Sequence, residues 1–114
     1  ERAKYGLTPL VMGDANLTAA AQKRAEEIAT VNSHTRPDGS KCFTVLKEYG
    51  VTAVPTGENA AWGSVSPQEV VDAWMQSEGH RANILNPEAR AMGVGYYYNS
   101  SSTWGHQWIQ IFTK

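Results

Sequence analysis

The chain has 114 residues, of which 41% are hydrophobic and 18% are charged, and its formal net charge is −1. This composition is typical of a globular protein rather than a disordered one, and the length fits one domain covering residues 1–114. Basic residues are interspersed with acidic ones, which argues against a nucleic-acid partner. No apolar stretch approaches the ~20 residues of a membrane-spanning helix, so the sequence predicts no transmembrane segment.

The first residues, Glu1 to Tyr5, continue a helical pattern that Gly6 ends. A chain that starts inside a helix indicates a fragment of a longer protein with a truncated N-terminal helix. Cys42 is the only cysteine, so it forms no internal disulfide and cannot build a cysteine-based zinc site. We expect Cys42 to be a small apolar residue in the core rather than a nucleophile.

Periodicity predicts a second helix that begins near Asn16 or Thr18 and continues to about Asn32. One face of this helix is apolar and rich in alanine, which allows a sheet or another helix to approach closely. The apolar stripe consists of Leu17, Ala21, Ala25, Ile28 and Ala29. The polar residues off the stripe, which we expect to face water, are Gln22, Lys23, Glu26 and Glu27.

Two shorter helices follow. Ser40 can cap the first, which runs to about Tyr49. The second has the clearest local signal in the chain, because Ser66-Pro67-Gln68-Glu69 combines a serine cap, a proline at the first helical position and a glutamate at the third. We expect this helix to run to about Ser77 and the following Gly79 to end it.

Three extended segments complete the predicted architecture. Residues 51–56 are rich in β-branched side chains, and Pro55 makes them an edge strand or an irregular run. Residues 93–98 and 104–113 each show strand-like alternation and are separated by a polar turn, which predicts an antiparallel hairpin. Helices on both sides of this small sheet give an α+β sandwich.

Three separate segments carry the side chains that could form a site. His34 lies in a loop before a Pro-Asp-Gly turn, Glu58 lies between a glycine and an asparagine, and His80 follows Gly79 on tight backbone. If these segments converge, they form a His/Glu/His pocket. Two imidazoles and one carboxylate match three-ligand sites for zinc or a similar divalent metal. The same three side chains could also serve as acid and base without a metal.

Each of these residues also has a purely structural interpretation. His34 could be an exposed loop histidine, Glu58 a loop-stabilising acceptor, and His80 a cation at a helix C-terminus. Arg81 could hold an anion, but beside Asn83 it is expected to bond loop carbonyls and fix the turn. The sequence contains no nucleophile elbow, no phosphate-binding glycine loop and no dinucleotide fingerprint.

With these residues in view, the chain resembles the CAP superfamily of cysteine-rich secretory proteins, antigen 5 and pathogenesis-related proteins, also called SCP-like extracellular domains. It is similar in particular to the bacterial branch. The matching stretches follow the family order along nearly the whole chain. They are Glu1–Leu7, Ser33–Gly39, Gly57–Ala60, Trp74–Pro87, Gly93–Tyr96 and Trp108–Phe112.

The resemblance implies a three-layer α-β-α sandwich with a small, mostly antiparallel central sheet. It also implies a secreted or cell-surface protein. The family's cleft commonly carries two histidines and two acidic residues, and in several members it binds a divalent metal. His34 matches the first histidine and Glu58 the first acid.

This sequence departs from the eukaryotic pattern at the other two positions of the cleft. Ser77 stands where eukaryotic members carry the second acid, and Gln107 stands where they carry the second histidine. His106, one place earlier, is expected to face the opposite side of the strand. Bacterial relatives typically carry the element Gly79-His80-Arg81 instead, so we expect His80 to complete the site.

Three functions are compatible with these residues. The favoured one is a secreted, non-enzymatic domain whose cleft binds an extracellular ligand: a lipid, a glycan, a cell-wall component or a protein. The cleft residues are His34, Glu58, His80, Arg81 and Asn83, and the metal candidates are His34, His80 and Glu58, with zinc as an optional cofactor. The second function is a metal-assisted hydrolase of peptides, esters or cell-wall fragments with Glu58 as base. The third is a structural module in which the polar side chains only hold loops together.

Overall fold

A computed structural model describes residues 1–114 and places a four-stranded sheet between two layers of helices. The strands are β1 (Val11–Met12), β2 (Pro55–Trp62), β3 (Ala91–Tyr98) and β4 (His106–Thr113). The helices are a 3₁₀ helix (Arg2–Tyr5), α1 (Ala15–Glu27), α2 (Thr44–Glu48), α3 (Pro67–Met75) and α4 (Glu78–Ile84). None of them has the length and hydrophobicity that crossing a bilayer requires.

The sheet has the strand order β1-β3-β4-β2, so β1 and β2 are its edges. Only the β1–β3 pair is parallel, whereas β3–β4 and β2–β4 are antiparallel. The structure thus confirms the hairpin of the last two strands and the mostly antiparallel sheet. Of residues 51–56, predicted as an edge strand or an irregular run, residues 51–54 are irregular and only Pro55 and Thr56 lie in the edge strand β2.

Alternation along β4 builds two hydrophobic cores, one on each face of the sheet. Ile109 and Ile111 pack with the buried residues of α1 and α2. Trp108 and Phe112 point the other way and pack with those of α3 and α4. Successive side chains of a strand alternate between faces, so this one strand supplies both cores of the three-layer α-β-α sandwich.

Helix α1 lies very close to β3 because glycines stand at the contact. A Cβ added to Gly95 would lie 2.2 Å from the carbonyl oxygen of Ala21, and one added to Gly93 would lie 2.7 Å from that of Leu17. The small side chains predicted on the inner face of α1 complete the contact, since Ala21 and Ala25 are fully buried.

The predicted helix ends need correction in three places. Helix α1 ends at Glu27 rather than near Asn32. Helix α2 begins only at Thr44, because the main chain and hydroxyl of Ser40 bond the Asp38 carboxylate in a turn instead of capping a helix. The third correction concerns Gly79, which lies inside α4.

Gly79 does not end α3, because that helix already ends at Met75. The extended backbone of Ser77 (φ −109°, ψ 122°) separates the two helices. Gly79 does not adopt the positive φ that a helix-terminating glycine needs. The candidate residues after it therefore lie on a helix rather than on tight turn backbone.

Gly95→Ala should lower the free energy of unfolding by about 3 kcal/mol, because its Cβ would collide with main-chain atoms of α1. Gly79→Ala is the matched control, since no heavy atom lies within 4 Å of its Cβ. Alanine favours helix over glycine, so this control should gain about 0.5–1 kcal/mol. Urea unfolding followed by circular dichroism measures both variants. A Gly95→Ala chain as stable as the wild type would contradict the close helix–sheet contact.

Candidate functional site

The candidate site lies along β2, at the edge of the sheet. Glu58 is within this strand, opposite Ile111 of β4, and not on the loop that the sequence predicted. Alternation directs Glu58 towards the layer of α1 and Asn59 towards the layer of α4. Side chains from both helical layers therefore meet at this strand.

A buried guanidinium holds the Glu58 carboxylate, whose side chain is 1% exposed. Arg24 donates from Nε to Oε2 at 2.8 Å and from Nη2 to Oε1 at 3.0 Å. This two-point ion pair is the strongest geometry available to arginine and a carboxylate. Oε1 also lies 2.8 Å from Nδ1 of His34. Both carboxylate oxygens are thus engaged within the protein.

These contacts set the protonation of the Glu58–His34 pair. Burial alone would raise the pKa of Glu58, but the hydrogen bonds from His34 and Arg24 outweigh it and lower that pKa. The bond to Glu58 raises the pKa of His34 above 6.5. In the neutral ring, Nδ1–H donates to the carboxylate and leaves Nε2 as the nitrogen with a free lone pair. The His34 side chain is 57% exposed, so solvent reaches this ring.

The ion pairs continue from Arg24 away from His34. Arg24 Nη1 lies 3.0 Å from Glu27, Arg36 Nη2 lies 2.7 Å from the same carboxylate, and Arg36 also contacts Glu48. The expectation that Glu27 faces water is therefore wrong, because Arg36 from the following loop covers it and leaves it 9% exposed. Alternating charges thus connect α1, α2 and β2.

His80 reaches the site from the other layer. It lies on α4, where its Nδ1 is 2.9 Å from Oγ of Ser77. Its carbonyl accepts a hydrogen bond from Nδ2 of Asn59 at 3.1 Å. Burial, and then the charge of His34, lower the pKa of His80. Both histidines are thus held by neighbouring residues of β2, His34 through the Glu58 carboxylate and the main chain of His80 through Asn59.

Asn83 fastens α4 to β2. Its Nδ2 donates to Oδ1 of Asn59 at 2.9 Å and to the Glu58 carbonyl at 3.3 Å. The side chain occupies the space over Gly57, where a Cβ would lie 2.5 Å from Oδ1 of Asn83. Asn83 therefore fixes the backbone that carries Glu58.

Arg81 does not bond loop carbonyls, as the sequence predicted. On helix α4 its guanidinium extends to the 3₁₀ helix, donates to the Tyr5 hydroxyl at 2.7 Å and lies 5.0 Å from that ring's centroid. The expectation failed because Arg81 lies on helix α4, from which its side chain extends to Tyr5 instead of to a turn. Its role is to tie two helices together beside the cleft.

Cys42 is buried, as predicted, but it is also a neighbour of the site. Ligand atoms of Cys42, His34 and Glu58 all lie within 4.8 Å of one another. Burial, and then the negative charge of Glu58, raise the pKa of the thiol to about 11. The thiol is therefore protonated at neutral pH. His80 contributes no atom to this group.

Arg24 is the important residue that the sequence reasoning missed. A signal for it exists, because Arg24 falls at helical spacing between Ala21 and Ile28, on the stripe assigned to the core. An arginine at such a position requires buried acidic partners. No comparable signal marks Cys42, since the fold of the intervening loop decides its approach to His34.

The comparison with protein families matches the cysteine-rich secretory protein family, CAP, over residues 1–112. The chain belongs to the CAP family. It is 42% identical over 111 residues to the uncharacterized protein YkwD of Bacillus subtilis, a match covering 96% of this chain and 42% of that relative. The uncharacterized membrane protein YlbC of the same species is 32% identical over 96 residues, covering 82% of this chain and 28% of YlbC. The chain thus spans less than half the length of these relatives.

Solved bacterial structures share the CAP fold. An extracellular protein containing an SCP domain from Bacillus anthracis has a TM-score of 0.85 at 26% identity, over 99% of this chain and 36% of its own. An outer surface protein from Borrelia burgdorferi has a TM-score of 0.83 at 23% identity, and the match covers 99% of this chain and 83% of that protein's chain. A cysteine-rich secretory protein from Staphylococcus aureus has a TM-score of 0.69 at 23% identity, and the match covers 98% of this chain and 34% of that protein's chain. The last two show the fold alone. Together these matches confirm the resemblance to the bacterial branch.

The CAP chain departs from the eukaryotic pattern in a way that the geometry explains. Ser77, in place of an acid, holds the His80 ring through its hydroxyl. Gln107, in place of a histidine, is buried and bonds Oγ of Ser102 at 2.9 Å. On β4 it lies opposite Trp62, whereas Ile111 lies opposite Glu58, so Gln107 is distant from Glu58 along the strand. His106 lies on the other face of β4, against Tyr96.

Arg24→Met should lower the free energy of unfolding of the CAP domain by about 3–5 kcal/mol, because it leaves the Glu27 and Glu58 carboxylates buried without their common cation. Lys23→Met is the matched control on the same helix and should change stability by less than about 0.5 kcal/mol. Urea unfolding measures both. A fully stable Arg24→Met chain would show that the ion pairs do not organise the site.

The pKa of His34 should lie above 6.5, and the pKa of His80 should lie below it. The His34–Glu58 contact then contributes to stability below pH 6.5, and this contribution is lost as the pH rises through the folded pKa of His34. The Glu58 carboxylate contributes to stability above pH 4.5, and this contribution is lost as the pH falls through the lowered pKa of Glu58. NMR titration of the labelled imidazoles measures both rings, with the urea-unfolded chain as reference. The reverse order of the two values would contradict this geometry.

Proposed function

We propose that this CAP domain is an extracellular or cell-surface domain that binds a ligand in the cleft between His34 and His80 and performs no covalent catalysis. The location is supported by a structural relative, since the Bacillus anthracis protein is described as extracellular. The binding role is supported by the site itself.

One observation carries the proposal. Each imidazole is anchored through Nδ1, His34 by Glu58 and His80 by Ser77, and in each ring Nε2 has no partner in the protein. Anchored rings lose little conformational freedom when a ligand binds, which favours affinity. A polar ligand that accepts or donates at both Nε2 atoms fits this arrangement.

By ligand chemistry, the two imidazoles are better candidate ligands for a divalent metal such as zinc than the carboxylate is. Neutral imidazole is a preferred zinc ligand, and a carboxylate behind the ring orients it and increases its basicity. Glu58 is placed for that supporting role, because Arg24 and His34 already engage its oxygens. Cys42 could join only after losing a proton from a thiol whose pKa is about 11. A bound metal would supply a Lewis-acidic centre for an anionic ligand.

The hydrolase alternative receives less support from the same contacts. A general base must be able to take a proton, and the ion pair with Arg24 lowers the pKa of Glu58. His34, backed by a carboxylate, is the better proton acceptor of the two. No serine or cysteine is paired with it as a nucleophile, since the thiol of Cys42 is held protonated.

Equilibrium dialysis against zinc tests whether both imidazoles serve one site. The wild-type chain should bind zinc at least about tenfold more tightly than the His34→Ala/His80→Ala double variant, because neutral imidazoles are the available ligands. His106→Ala is the matched control, since this third histidine stacks on Tyr96 away from the cleft, and it should bind zinc like the wild type.

Two results would contradict the proposed site. Equal zinc binding by the wild type and the double variant would show that His34 and His80 do not form a common site. A loss of zinc binding in His106→Ala would show that the metal binds at the β3–β4 hairpin instead. Circular dichroism of each variant verifies that the fold is retained before binding is compared.

A further inference from the structure

Four aromatic side chains meet at one end of the β3–β4 hairpin. Tyr96 lies opposite Trp108 and Tyr98 lies opposite His106, so all four share one face of the sheet. Helices α3 and α4 cover this face near Phe112, but Tyr96 and Tyr98 remain 39% and 56% exposed. We call these four residues the aromatic platform.

The rings of the aromatic platform are held in place by one another. Tyr96 and Trp108 have centroids 4.5 Å apart, and His106 lies 5.9 Å from Tyr96 and 4.9 Å from Tyr98. The Tyr96 hydroxyl and Nδ1 of His106 are 2.7 Å apart, and Trp108 donates to the Ser64 carbonyl at 2.7 Å. A surface of fixed rings gives contact area at low entropic cost.

The hairpin that carries the platform has no formally charged residue, and its turn is rich in hydroxyl groups. The segment Ala91–Thr113 contains no Asp, Glu, Lys or Arg. The turn beside Tyr98 exposes the hydroxyls of Ser100, Ser101 and Thr103. Trp104, 57% exposed, follows at the same end of the sheet. An anionic partner such as a nucleic acid or an acidic membrane surface would require cations that this segment lacks.

The size of the platform also argues against a stable protein partner. Specific protein interfaces bury about 800 Å² on each side around a desolvated apolar centre. Here a few exposed rings stand beside a polar turn, and Asn99 and Ser102 keep that turn in shape through Oδ1 and Oγ. Flat apolar faces next to neutral hydroxyls are complementary to a sugar ring, which has apolar C–H faces and hydroxyl edges.

We propose that the aromatic platform binds a neutral oligosaccharide. Sugar rings would stack on Tyr98 and Tyr96, where the negative ring faces attract C–H groups. The turn Asn99–Thr103 would donate and accept hydrogen bonds at the sugar hydroxyls. This site is distinct from the cleft at His34 and His80, so its existence does not depend on the function proposed for that cleft.

NMR titration of the ¹⁵N-labelled chain with cellotetraose and with tetra-N-acetylchitotetraose tests the platform. At least one of these neutral sugars should give saturable shifts confined to residues 94–108. Tyr98→Ala should weaken that binding roughly tenfold, because it removes one stacking ring. Tyr98→Phe should retain it, because the ring remains. Met12→Ala is the control, since Met12 is 64% exposed on another strand.

Three results would overturn the proposal. If neither sugar gives saturable shifts, the platform does not bind a neutral oligosaccharide. Unchanged binding by Tyr98→Ala would place the sugar elsewhere. Light scattering that shows a dimer, and a monomer for Tyr98→Ala, would assign the platform to a second copy of the chain. Because Tyr98 is exposed, its replacement does not threaten the fold, and circular dichroism verifies this.

Discussion

The buried guanidinium of Arg24 is the contact on which the rest of the site depends. It lies within the apolar stripe of α1 and binds Glu58 and Glu27 at once, while Arg36 supplies a second cation to Glu27. Removing such a cation would leave charges in a medium that solvates them poorly. Because Glu58 is fixed in this way, its remaining contact orients His34. The geometry of the exposed imidazole is thus set from inside the core.

The edge position of β2 explains how both helical layers can place a histidine beside one strand. Glu58 and Asn59 are neighbours in the chain, but they point to opposite faces of the sheet. One binds the histidine that follows α1, and the other binds the main chain of the histidine on α4. A central strand would separate these histidines by the neighbouring strands, whereas an edge strand lets both layers reach round it.

The cleft and the aromatic platform use different physical means to prepare a surface for binding. In the cleft, charges and hydrogen bonds hold two imidazoles while their second nitrogens stay free. On the platform, rings hold one another through one stacked and two tilted contacts, in a segment without formal charge. The two surfaces therefore suit ligands of different chemistry. The platform is built on regular strands, which position side chains more rigidly than loops do. In the cleft, a loop carries His34 and helix α4 carries His80.

The sequence by itself determined the architecture, because alternation in β4, the alanine face of α1 and the Ser66-Pro67 cap are local signals that report directly on burial and chain direction. It also identified His34, Glu58 and His80 as residues of interest. Only the tertiary structure decided what surrounds them. Arg36 covers Glu27, Ser77 holds His80 and Cys42 approaches Glu58 through contacts between segments distant in sequence or through local turns that periodicity does not encode. Partners of a polar side chain depend on how whole elements pack, and one residue's neighbours along the chain do not contain that information.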